Sequence, residues 1–129
     1  MRDIPPNIPH IVAPPRMQLY IDCAAAIHGV FLKFIAPEDI YTYSIDESFI
    51  DVTPYLKMYG KTARELAKEI IQSVREVVGT VSTCGIGTNM YLAKIALDIL
   101  AKHDPEFIAE LNEDTYREQL WDHRPLTDF

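Results

Sequence analysis

The chain has 129 residues, 48% apolar and 24% charged, which suits one globular domain with one modest hydrophobic core. No apolar run approaches the roughly 20 residues that cross a bilayer, and the proline-rich N-terminus has no apolar signal segment, so a cytoplasmic location without membrane contact is expected. A net charge of −7 argues against nucleic-acid binding when taken alone, but the charge is blocked: residues 1–34 carry +1, 35–60 −4, 61–102 +2 and 103–129 −6.

Five of the nine prolines fall within residues 1–15, which predicts an extended arm before the folded part. Met17, Tyr20, Ile21, Ala24, Ile27, His28 and Phe31 follow helical spacing, so a helix is predicted from about Arg16 to Phe34. Cys23, on that helix, and Cys84 form no Cys-x-x-Cys pair and are too few for a zinc site, so both are expected as buried free thiols. Tyr41 to Thr53 is rich in strand formers and reads as two short strands meeting at Asp46-Glu47. Pro54 to Tyr59 reads as a turn closed by Gly60. Thr62 and Glu65 form a capping box, and Leu66, Ile70, Val74 and Val77 place an amphipathic helix after it, ending at Gly79. Thr80 to Ile86 is expected as a strand, with Gly85 and Gly87 marking a close backbone approach. A helix from about Asn89 to Ala101, capped by Thr88 or Asn89, should follow. Phe107 to Leu111 reads as a short strand and Asn112 to Trp121 as the last helix. This order predicts an α+β layer structure.

Two constellations can carry chemistry. In Ser44-Ile45-Asp46-Glu47-Ser48-Phe49-Ile50-Asp51 two adjacent carboxylates sit between strand formers. Like charges there repel and must be solvated or neutralised. A divalent cation neutralises them well, and Mg2+ prefers carboxylate and phosphate oxygens; the plainer reading is a solvent-exposed hairpin turn. In the second, Cys84-Gly85-Ile86-Gly87-Thr88-Asn89 leads into an apolar helix whose Lys94, Asp98 and Lys102 recur every four residues. That stripe is either an exposed face with Lys–Asp pairs or a polar face turned to an active site. The Gly-x-x-x-x-Gly-Lys spacing of a phosphate-binding loop is absent.

Residues 44–52 resemble, in register, the Ser-Ile-Asp-Glu motif of the Y-family lesion-bypass DNA polymerases. Gly85-Ile86-Gly87-Thr88-Asn89 and Leu92-Ala93-Lys94-Ile95-Ala96, with Asp98, are similar to the Gly-Ile-x-x-Asn segment and Leu-Ala-Lys-Ile-Ala helix of that family. The motifs lie about 40 residues apart, as they do there, and weaker similarity runs from about Val12 to Phe129. The nearest group is the ImpB/MucB/SamB set of DinB/UmuC-like polymerases.

The resemblance implies an α+β polymerase palm, a ferredoxin-like mixed antiparallel sheet flanked by helices. It divides the chain into an arm (1–15), a partial palm (16–120) and the start of a link to the thumb (121–129). It implies translesion DNA synthesis by two-metal nucleotidyl transfer, with two Mg2+ ions, primer-template DNA and an incoming dNTP. Asp46 would bridge both ions, and Glu47 would hold the one that activates the primer 3′-hydroxyl. Ser44 would lie beside them, and Lys94 and Asp98 would support them. Lys102 would approach the triphosphate, although the stretch from Asp98 to Lys102 is one residue longer than the family pattern and lacks its proline. A sliding clamp would be reached through other domains.

The family also has a first palm strand with a further metal-binding Asp, followed by fingers. No Asp-x-Asp-x-Phe-Phe-like stretch occurs here. Both ends are therefore read as cuts through a larger protein, and the isolated chain is expected to be inactive. The alternatives are a degenerate, non-catalytic palm module that binds DNA or a repair partner, and another palm-like nucleotidyl transferase. The Leu-Ala-Lys-Ile-Ala helix argues against the latter.

Overall fold

The computed structural model describes residues 5–124. The outer parts of the expected arm (1–4) and thumb link (125–129) lie outside the described residues. Residues 5–15 form no helix or strand and are exposed throughout. Helix α1, Met17–Phe31, starts where the proline cluster stops and ends three residues before the expected limit. Its N-terminal turns expose Met17, Tyr20 and Ile21, and only Val30 is fully buried.

After a short 3-10 turn at Pro37–Asp39, strands β1 (Ile40–Ser44) and β2 (Glu47–Ile50) form an antiparallel hairpin. Residues 53–59, expected as a turn, are instead helix α2, Thr53–Tyr59. Pro54 sits in its first turn, where the missing N–H costs nothing and the fixed φ suits the helix. Gly60 caps it at φ 64°, a left-handed conformation that favours glycine. Tyr55 on α2 donates its hydroxyl to Asp39 at 2.6 Å and accepts from the Ala36 N–H at 2.8 Å. Tyr59 donates to the Phe34 carbonyl at 2.7 Å, so two tyrosines pin α2 to the loop that feeds the hairpin.

Helix α3, Ala63–Val77, begins at the expected capping box of Thr62 and Glu65 and buries Leu66, Ile70 and Val74. Strand β3, Cys84–Gly87, is shorter than the expected run. Asn89 is the cap of the next helix, accepting from the Leu92 N–H, whereas the Thr88 hydroxyl donates to Glu113. Helix α4 covers only Met90–Ile95. The chain continues as a π-helical segment, Ala96–Leu100, and a 3-10 turn, Ala101–His103. A single α-helix to Ala101 was expected; the wider π turn takes up one more residue, which matches the one-residue excess before Lys102. Strand β4, Ile108–Leu111, and helix α5, Glu113–Leu120, capped by Asn112, complete the described residues.

The expected single mixed antiparallel sheet is not seen. Among the described residues β1 and β2 form one antiparallel pair, and β3 and β4 form a separate parallel pair. Nor is there one core. Val30, Tyr55, Leu66, Ile70 and Val74 cluster under the hairpin, whereas Leu92, Ala96, Ala109, Leu111 and Leu120 cluster around β3–β4. A cleft of about 210 Å³ separates the two sheets. Consecutive residues of both strands, 47–50 of β2 and 84–87 of β3, line it. A strand face would present alternate residues, so the cleft runs along strand edges that have no strand partner among the described residues.

The halves are tied across α3. Arg64 donates to the Ile108 carbonyl at 3.2 Å and pairs with Glu106 at 2.9 Å and Asp104 at 3.4 Å, and Lys68 reaches Glu106 at 3.0 Å. Both cysteines are free and half-buried rather than fully buried. Desolvation pushes the Cys84 thiol up to about 11, against the pull of the Arg64 charge, so it is a poor nucleophile at neutral pH.

Candidate functional site

The acidic pair lies at the tip of the β1–β2 hairpin. Ser44 pairs with Glu47 in register, leaving Ile45 and Asp46 as a two-residue turn. Favoured turns of this length need positive φ, and neither residue has it. The ladder instead shifts register between Thr42 and Ser44, a bulge-like irregularity of the kind that re-aims side chains beside functional sites. Asp46 is exposed and Glu47 half-buried.

Ser44 links the two carboxylates. Its hydroxyl lies 2.8 Å from Asp46 Oδ1 and 3.5 Å from Glu47 Oε2. From the other half of the molecule, Lys94 Nζ reaches Glu47 Oε1 at 2.5 Å and Asp98 at 3.2 Å. The same ammonium lies 5.4 Å from the centre of the Tyr43 ring, within range of a cation–π attraction. Tyr43 is itself held edge-on to Phe49 at 5.6 Å. The Glu47 carboxylate raises the Lys94 pKa above its ordinary value; desolvation opposes this, and Asp98 adds to it. Lys94 is therefore a cation throughout the neutral range.

Gly85 and Gly87 explain how α4 comes this close. A Cβ on Gly85 would lie 2.1 Å from the Ala93 carbonyl oxygen, and one on Gly87 would lie 2.3 Å from the Ala93 nitrogen. Only glycine lets α4 lie directly on β3. That packing puts Lys94 at the cleft, whose walls include Glu47 and Lys94.

Five of the six residues singled out from sequence are thus joined through contacts: Ser44, Asp46, Glu47, Lys94 and Asp98. Lys102 is not brought to them. It lies exposed on the 3-10 turn and forms no ion pair among the described residues. The π segment Ala96–Leu100, which contains Asp98, breaks the four-residue stripe before Lys102. Tyr43 escaped sequence reading, because an exposed aromatic on a strand carries no mark of a partner 51 positions along the chain. Tyr41 and Tyr43 are both more than half exposed.

The donors are all oxygen, as a hard cation such as Mg2+ prefers. They fit such an ion in kind and fall short in number. Among the described residues no three His, Cys, Asp or Glu side chains gather as a ligand set.

Known proteins are similar to this chain over most of its length. A family model described as the impB/mucB/samB family matches residues 1–98. The UvrX protein of Bacillus subtilis, named for UV-damage repair, is 39% identical over 92% of this chain. A protein named DNA polymerase IV 2 from the same organism is 36% identical over 86% of the chain. The chain spans 27% and 26% of those two relatives. The crystal structure of DinB from Sulfolobus solfataricus superposes with a TM-score of 0.67 at 29% identity, covering 84% of this chain and 30% of DinB. A Dbh ternary complex matches with the same TM-score and identity.

Proposed function

Because the chain belongs to the impB/mucB/samB family, we propose that it forms part of the palm of a DNA-directed DNA polymerase that works in translesion synthesis and repair. The observation that carries the proposal is the adjacent carboxylate pair Asp46-Glu47, presented on a hairpin tip and braced by Ser44 and Lys94. The names of the relatives, DNA polymerase IV among them, support the reading. Residues 16–120 are the partial palm, residues 1–15 an arm, and residues 121–129 the start of a link to a thumb.

Asp46 and Glu47 are the catalytic carboxylates and would hold Mg2+. When bound, such ions supply charge neutralisation on the phosphates and activation of a primer hydroxyl. The chain's own contribution is positional. Ser44 orients both carboxylates, Lys94 and Asp98 brace Glu47 from α4, and the exposed Lys102 is free to reach a triphosphate. The partners are primer-template DNA and a dNTP, with a sliding clamp engaged through other domains; the setting is cytoplasmic. Among the described residues no helix is long and apolar enough to cross a membrane.

The cleft between β2 and β3 supports an incomplete palm. Its walls are unpaired strand edges and apolar side chains, and a strand from elsewhere in the protein would join the sheets and bring a third carboxylate. The isolated chain is therefore inactive in Mg2+-dependent synthesis. The test is primer extension on undamaged and abasic templates by a polymerase containing this segment, beside Asp46→Ala and Glu47→Ala. Bypass that disappears in both variants is expected. Absence of synthesis by the folded parent would favour a non-catalytic module, and synthesis indifferent to both variants would overturn the assignment of the site.

A further inference from the structure

Residues 5–15 lie on the surface outside any helix or strand, yet three of their side chains are large and apolar. Ile8, Ile11 and Val12 are 50%, 95% and 61% exposed. Contiguous apolar surface left in water marks an interaction site. No Asp, Glu, Lys or Arg falls between Pro5 and Pro15. Between Pro9 and Pro14 stand His10, Ile11, Val12 and Ala13, a stretch in which every residue keeps its backbone N–H. Among the described residues these four make no backbone-to-backbone hydrogen bond.

The cleft between β2 and β3 has the complementary needs. Residues 47–50 and 84–87 line it along strand edges that have no strand partner among the described residues. Between those edges Ala67, Ile70, Ile71 and Val74 of α3 give it an apolar lining. A strand laid there would pair on both sides and join the two sheets into one. Alternate residues of a strand face opposite ways, so Ile11 can meet α3 while Val12 faces the open side. The stretch from His10 to Ala13 has the same length as each waiting edge.

The chain's own arm is badly placed for this. Of α1, only Phe31 at its far end lines the cleft. Met17, where the arm joins, stands about 21 Å away along the helix axis. The links from Ala13 to Met17 span at most about 14 Å, too short to return the arm to the end of the cleft that Phe31 lines. A second copy has no such limit.

We propose that residues 10–13 of one copy of this chain add as a strand between β2 and β3 of a second copy, and that reciprocal exchange closes a two-fold dimer. The arm brings no carboxylate, so the proposal goes beyond the catalytic reading and does not depend on it.

The test is sedimentation velocity of the 129-residue chain over a wide concentration range, with amide hydrogen exchange on the same samples. The parent should be a dimer at high concentration, with slowed exchange at residues 11–13 and along 47–50 and 84–87. Ile11→Asp, which carries a charge into an apolar slot, and Val12→Pro, which removes a ladder donor, should be monomers at the same concentration. Both changes lie in the exposed arm, and circular dichroism checks that the fold is kept. Ile8→Asp, outside the four-residue stretch, should remain a dimer. A parent that stays monomeric with an unprotected arm overturns the proposal. So does a monomer with a protected arm, which would fill its own cleft. A dimer indifferent to both Ile11→Asp and Val12→Pro pairs through another face and overturns it as well.

Discussion

Gly85→Ala should damage both the fold and the candidate site. The added methyl carbon would stand 2.1 Å from the Ala93 carbonyl oxygen, 2.4 Å from the Leu97 nitrogen and 2.9 Å from the Leu97 Cα. These are backbone atoms of the α4 region, so no flexible side chain can turn aside. To reach ordinary contact, helix and strand must separate by roughly 1 Å. That separation loosens Leu92, Ile95 and Ala96, all nearly inaccessible to solvent, and lengthens the 2.5 Å Lys94–Glu47 contact toward the limit of a hydrogen bond. Overpacking of this kind costs about 1–3 kcal/mol and sometimes more; with only backbone to yield, about 3 kcal/mol is expected. Urea unfolding followed by far-ultraviolet circular dichroism measures it. Gly29→Ala is the control: it lies inside α1 with nothing within 4 Å of a Cβ, and should gain about 0.5–1 kcal/mol from helix propensity. A Gly85→Ala protein within about 0.5 kcal/mol of the parent would refute the close-approach argument.

Leu66→Ala removes a side chain that is 1% exposed and should cost about 2–5 kcal/mol by the same urea assay. Thr62→Ala removes the capping side chain of α3 and should cost about 1 kcal/mol. Backbone N–H donors, that of Glu106 first, hold the Asp104 carboxyl below its usual range, and Lys68 followed by Arg64 does the same for Glu106. Groups with depressed folded values stabilise above their unfolded values of about 4 and lose that contribution as pH falls through the folded ones. Arg64→Ala should therefore lower the urea midpoint at pH 7, and the gap from the parent should narrow in acid; a gap equally wide at pH 3 would contradict this.

Local signals in the chain were legible where one element decides its own structure. The Thr62–Glu65 capping box, the Leu66-Ile70-Val74 stripe, the hairpin around Asp46-Glu47 and the Asn112 helix start all depend on neighbours within a few residues. Pro54 misled because proline ends a helix interior yet begins a helix well; the bonds from Tyr55 and Tyr59 to residues 34–39 tip the balance. The π segment showed itself only as one surplus residue, since widening one turn leaves no composition mark. The division into two cores and two sheets depends on which strand edges find partners, a long-range matter. Phe107 at φ 59° likewise has no local signature. The acidic pair and Lys94 could each be singled out, but their meeting across 47 positions follows from the packing of α4 on Gly85 and Gly87.

The proposed function requires the hairpin tip to hold a divalent cation. Paramagnetic broadening of amide resonances by substoichiometric Mn2+, in the nitrogen-15-labelled chain, tests it most directly. Ser44 to Ser48 should broaden first, followed by residues around Lys94, while the equally acidic Glu113–Glu118 region stays sharp. Broadening centred on that region, or spread evenly over all surface carboxylates, would contradict the claim.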